Sequence, residues 1–141
     1  MKRIIVLTMM AGAFITQAGC TTQVRSLPMP QATQTQSAKD VALYFGDQKH
    51  ANVKTMLGKK EVAVRVARTM DGQDATCNIA LAKALDQLRD YAREQHADAV
   101  INVRTRFQHT ETTSETEFIC GSSNNGSTLA VRGDLVKLDV E

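Results

Sequence analysis

The chain has 141 residues, the length of one domain rather than two. Its 17 Lys and Arg against 15 Asp and Glu give a formal charge of +2, which Lys2 and Arg3 account for, so the rest lacks the basic stripe that nucleic-acid phosphates require. Aromatic content of 4% with no Trp leaves no stacking platform for bases or sugars, while 43% hydrophobic residues suffice for a packed core.

Residues 1–19 read as an export signal. Lys2 and Arg3 make a positive start, and Ile4 to Ile15 is a mostly apolar run of 12 residues. A helix of that length is too short for a membrane span, which takes roughly 20 residues. Ala18-Gly19-Cys20 resembles the bacterial lipobox, with Gln17 where that motif usually has an apolar residue. The resemblance implies cleavage before Cys20, diacylation of that residue with fatty acid such as palmitate, and a membrane partner held through the lipid. Acyl chains stabilise such an anchor by about 0.8 kcal/mol per buried CH₂. By resemblance to enterobacterial sorting rules, Thr21, which is not Asp, permits transfer to the outer membrane, on the periplasmic side of the envelope. The alternative is ordinary cleavage after Ala18 or Gly19, leaving a soluble periplasmic protein with a free thiol.

Residues 21–40, TTQVRSLPMPQATQTQSAKD, hold both prolines and show neither a helical nor a strand period. The composition predicts a flexible tether over 20–40, followed by one domain over 41–141. Val41–Phe45 reads as a strand ending at Gly46-Asp47. Residues 47–60 read as a loop or one short helical turn. Val62, Val64 and Val66 alternate with Ala63, Arg65 and Ala67 as a second strand, and Asp71-Gly72 marks a turn.

The clearest element is a helix over 76–95. Cys77, Ala80, Leu81, Ala84, Leu85, Leu88, Tyr91 and Ala92 recur at three- and four-residue steps between charged residues. Asp74 or Thr76 is the expected N-cap. Ala99–Phe107 follows as a strand, Ser114–Cys120 as its return after a turn near 110–113, and 121–126 as a loop. Thr128–Val140 is a last strand, bent or bulged near Gly133.

Parity makes a register prediction for the 99–120 hairpin. A tight turn at 110–111 sets Arg106 opposite Glu115 and Arg104 opposite Glu117, with Val103 opposite Phe118 and Ile101 opposite Cys120. Ile101, Val103, Phe107, Phe118 and Cys120 then share the apolar face. Cys120 points at the face that the helix must cover, and Cys77 opens the helix's apolar stripe. An exported chain meets an oxidising compartment, so Cys77 and Cys120 are expected to form a disulfide. The CxxC spacing of redox-active pairs is absent, which makes the bridge structural.

Other motifs point to no catalytic site, no cofactor and no metal. His50, His96 and His109 have no second ligand at metal-binding spacing. Gly58-Lys59-Lys60 lacks the first Gly and the Ser/Thr of a phosphate loop, and Ser122 and Ser123 lack a nucleophile elbow.

The segments LYFGDQKH (43–50), the Cys77 helix, HADAVINVR (96–104) and SETEFIC (114–120) resemble a group of small exported proteobacterial proteins that are sometimes labelled excinuclease-like. More distantly, the order of parts is similar to the outer-membrane stress-sensor lipoprotein of the Rcs phosphorelay. In that family disulfides join the helix region to a later strand, which Cys77 and Cys120 would match. The expectation is an α+β domain: one amphipathic helix packed on a small, mainly antiparallel sheet and stapled by a disulfide. Its expected role is non-enzymatic, by contact with an envelope protein, in sensing or structure. The alternative is a soluble periplasmic module that binds a small ligand or metal.

Overall fold

The computed structural model describes residues 21–34 and 40–139. The export signal, Cys20 and part of the expected tether lie outside the described residues. The elements run β1 (Gln23–Pro28), α1 (Gln31–Gln34), β2 (Ala42–Phe45), β3 (Val53–Ala67), α2 (Gln73–Glu94), β4 (Ala99–Phe107), β5 (Thr110–Thr112), β6 (Glu117–Ser122) and β7 (Gly126–Leu138). The fold is α+β, with one long helix on a seven-stranded, mainly antiparallel sheet.

β7 is the hub. β3 pairs along one edge of it, from Val53↔Leu138 to Ala67↔Gly126. On the other edge β4 pairs from Ala99↔Val136 to Arg106↔Ala130, and β6 then pairs at Thr128 and Ser127. β1 closes the far side of β6, and β2 and β5 share the outer edge of β4. β2 runs parallel to β4.

α2 covers one face of this sheet. Its buried residues are Thr76, Cys77, Ala80, Leu81, Ala84, Leu85, Leu88 and Ala92, the expected stripe. The alanines bring the helix axis close to the strands, and the leucines fill the space against Val62, Val64, Leu129, Val131 and Leu135. The helix begins three residues earlier than its apolar period indicates. Gly72, at φ 101, takes the N-cap position, and neither Asp74 nor Thr76 does. Thr76 instead donates from Oγ1 to the Gly72 carbonyl at 2.7 Å and accepts from the Thr69 N–H at 3.2 Å, and Asp74 places its charge in the first turn.

Three further expectations are corrected. The first concerns the tether: Gln23–Pro28 is a strand, paired with β6 from Gln23↔Ser122 to Pro28↔Glu117. Leu27 and Met29 are 7% and 4% exposed and belong to the core. Only two large apolar side chains are needed because an edge strand draws the rest of its stabilisation from backbone bonds, which composition does not record. The second concerns 47–60, where β3 already begins at Val53. Val53, Met56 and Leu57 are exposed large hydrophobics, so no buried face imposes an alternation there.

The third correction is the hairpin. The chain turns at Gln108-His109, with Gln108 at φ 51, so that Phe107 pairs Thr110 and Arg106 pairs Glu111. β6 lies beside β1 and the start of β7, so neither Glu115 nor Glu117 faces an arginine of β4. A bulge between Ile101 and Arg104, with Asn102 at φ 54, also shifts the phase of β4. Val100, Val103 and Thr105 point inward, and Ile101 sits half-buried opposite Asp134. The expected irregularity of β7 is therefore carried by its neighbour. Gly133 faces the bulge, and a Cβ there would lie 2.4 Å from Val100 Cγ1.

The status of β1 is measurable. Leu27→Ala removes a core side chain and should lower unfolding free energy by about 2–3 kcal/mol in denaturant titration. A free tether would leave the transition unchanged.

Candidate functional site

Of the residues that sequence reasoning singles out, Cys77 and Cys120 are brought together. They form a disulfide with an S–S distance of 2.09 Å and Cα atoms 6.0 Å apart. Both are fully buried. The Ser127 hydroxyl lies 3.4 Å from Cys77 Sγ and is the only possible proton donor of the two. The bridge closes a sequence separation of 43, worth roughly 4 kcal/mol in the chain-entropy model. Neither sulfur reaches solvent, so the site is a brace.

The histidines stay dispersed. His50 tilts against Tyr44 with ring centroids 5.4 Å apart, His96 follows α2, and His109 sits at the β4–β5 turn. Among the described residues no group of three or more His, Cys, Asp and Glu side chains is placed to hold a metal ion.

The other candidate site is on the face of the sheet opposite α2. Alternation along β3 sends Lys60, Val62, Val64 and Val66 toward the helix, where the Lys60 ammonium sits 4.3 Å from the Tyr91 ring centroid. Lys59, Glu61 and Arg65 go to the open face. β7 adds Arg132 and Asp134, and β4 adds Arg104 and Arg106. Register then sets Glu61 beside Arg132 and Arg132 beside Arg104; one step along, Lys59 lies beside Asp134. Lys59, Glu61, Asn102, Arg104, Arg132 and Asp134 line a shallow groove of about 390 Å³.

Two arginines directly opposite on neighbouring strands repel each other. Glu111 of β5 offsets this. Its Oε1 accepts from Arg104 at 3.2 Å and from Arg132 at 3.3 Å. Arg106 pairs with Glu61 across the sheet. The face thus holds Lys59, Arg65, Arg104, Arg106 and Arg132 against Glu61, Glu111 and Asp134, a mosaic with a positive excess of two. Chemically it is a carboxylate held between two guanidinium groups on rigid strands, an arrangement suited to recognising acidic groups.

Arg104 and Arg106 are visible in the sequence as outward-facing residues, whereas Glu61 and Glu111 are not. The signal for Glu111 is the turn: a two-residue loop at Gln108-His109 sets it opposite Arg106. Glu61 has no local signal, because its partner is 45 residues away.

No family model matches the sequence, and no curated protein matches it. A solved structure of a protein of unknown function of the DUF74 family from Pediococcus pentosaceus is similar to this chain, with a TM-score of 0.51 at 12% identity, covering 70% of this chain and 98% of that one. The likeness is one of fold.

Removing the shared carboxylate should expose the arginine repulsion. Glu111→Ala is expected to lower stability by roughly 1 kcal/mol at low salt, with the deficit shrinking as salt screens the two charges. Chemical denaturation at two ionic strengths reads both. A stability that is unchanged at low salt contradicts this account of Glu111.

Proposed function

We propose that the protein is an exported, non-enzymatic module that works by contact at the cell envelope. It is anchored through an acylated Cys20 on the periplasmic side of the outer membrane and uses the open sheet face to hold an acidic segment of an envelope protein. The observation that carries this reading is the single carboxylate of Glu111 shared by Arg104 and Arg132. A partner's carboxylate can replace or join it without desolvating a new cation. The groove runs out onto β3, which is an edge strand, so an extended peptide has backbone groups to meet as well. Small-molecule sites are enclosed and mainly apolar, whereas this groove is shallow and charged, which favours a protein partner over a small ligand. Export is supported by the buried disulfide, since such bridges persist in oxidising compartments.

Photo-cross-linking in intact cells tests the reading. A photoreactive residue in place of Lys59, on the open face, is expected to give a discrete cross-linked species that Arg132→Glu abolishes. The same residue in place of Lys83, on the outer face of α2, is expected to give none. Cross-links from position 83 and none from position 59 would reject the open face as the contact surface.

A further inference from the structure

One end of the sheet carries a surface that the groove does not use. Only Thr21 and Thr22 separate Cys20 from β1. Gln23 pairs with Ser122, and Ser122 pairs with Ser127, so the chain enters beside the turn at 123–125. The Arg68 N–H donates to the Asn125 carbonyl at 3.1 Å and its guanidinium to Asn124 Oδ1 at 3.2 Å, which brings the loop after β3 to the same place. The N-terminus of α2 is there too, because Arg25 of β1 lies 2.6 Å from Asp74 and donates to Gln73.

These segments form a single rim. Met70 is fully exposed on it, and Val24 is 46% exposed on β1 nearby. Arg25 is neutralised by Asp74, but Arg68 meets an amide and no carboxylate among the described residues. Met70 stands between the Arg68 guanidinium, which meets no carboxylate among the described residues, and the exposed Asp71, and with Arg25 and Asp74 the rim is close to neutral, which matches a zwitterionic phospholipid surface. The thioether can enter the top of the acyl region, and the guanidinium can take a headgroup phosphate.

We infer that this rim rests on the membrane that carries the acyl anchor, with Met70 inserted and Arg68 on lipid phosphate. The inference rests on the reading that Cys20 is acylated. The short slack carries it: the three steps from Cys20 to Gln23 extend at most about 11 Å, so an acyl group buried at Cys20 keeps the rim within reach of the headgroups. The anchor therefore sets orientation as well as location. α2 points its N-terminus at the lipid, and the groove at Lys60↔Gly133 lies seven residues along β3 from the Ala67↔Gly126 pair, about 23 Å out from the rim.

The chain has no Trp, so Met70→Trp makes a single reporter. The acylated full-length mature protein would be placed in vesicles of phosphatidylethanolamine and phosphatidylglycerol with brominated acyl chains. A second variant, Gln95→Trp, puts the reporter at the other end of the 22-residue helix, about 33 Å away. Bromine quenching is expected to be several-fold stronger at position 70 than at 95, and Arg68→Glu should weaken it. Equal quenching at both positions, with the mass of the mature N-terminus showing acylated Cys20, would overturn the orientation and leave the anchor standing. A mature N-terminus with an unmodified Cys20 thiol would overturn both.

Discussion

The bridge between Cys77 and Cys120 ties the first turns of α2 to β6, and β6 has few other links to the main sheet. It meets β7 through two residue pairs, at Gly121 and Ser122. Its longer partner, β1, is itself an edge strand. A buried bond from the Ile119 N–H to Thr105 Oγ1, 2.9 Å long, joins it to β4. Without the covalent link, the β1–β6 pair would be held to the core by those few bonds and by Phe118, Leu27 and Met29. With it, the helix, the pair of strands and the N-terminal entry point become one unit. The brace also supports the proposed location, because disulfides persist in oxidising surroundings.

The two faces of the sheet divide the work. On the α2 face, alanine and leucine spacing brings the helix onto β3 and β7, and the β4 bulge tucks Val100 and Val103 beneath Gly133. The same bulge restores the outward direction of Arg104 and Arg106 after Ile101, so the packing device also fixes the charged face. There Glu111 and Glu61 keep three arginines close without a bare like-charge contact. Individually these pairs contribute little to stability. Their collective effect is to hold guanidinium groups in fixed positions on strands.

Much of the α2 face is legible in the sequence, for physical reasons. The helix advertises itself because one stripe is buried along its whole length. The strand 99–107 is a run rich in β-branched residues with defined ends. The disulfide follows from two cysteines that face the same core. The departures cluster where burial is partial. β1 and the residue that follows it bury only Leu27 and Met29 and otherwise look like Thr- and Gln-rich linker, and the first half of β3 has exposed residues on both faces. The hairpin register depends on the position of its turn. A turn at 108–109 rather than 110–111 gives every side chain of β4 a different set of partners, because strand pairing carries the shift along its whole length. Ile101 leaves the core face because Asn102 adopts φ 54, a left-handed conformation to which asparagine is more prone than most residues. Of the open face, the arginines are visible and their carboxylate partners are not, since Glu61 reaches Arg106 only through the sheet's long-range pairing.

The brace requires that its two buried sulfurs be oxidised in the living cell. Intact cells would be acid-quenched and the unfolded protein alkylated before and after reduction, with the Cys77 and Cys120 peptides weighed by mass spectrometry. The account predicts that neither cysteine takes the first label and both take the second, with the unreduced digest holding the two peptides linked. Both cysteines carrying the first label would mean reduced thiols, and would contradict the brace and the exported setting together.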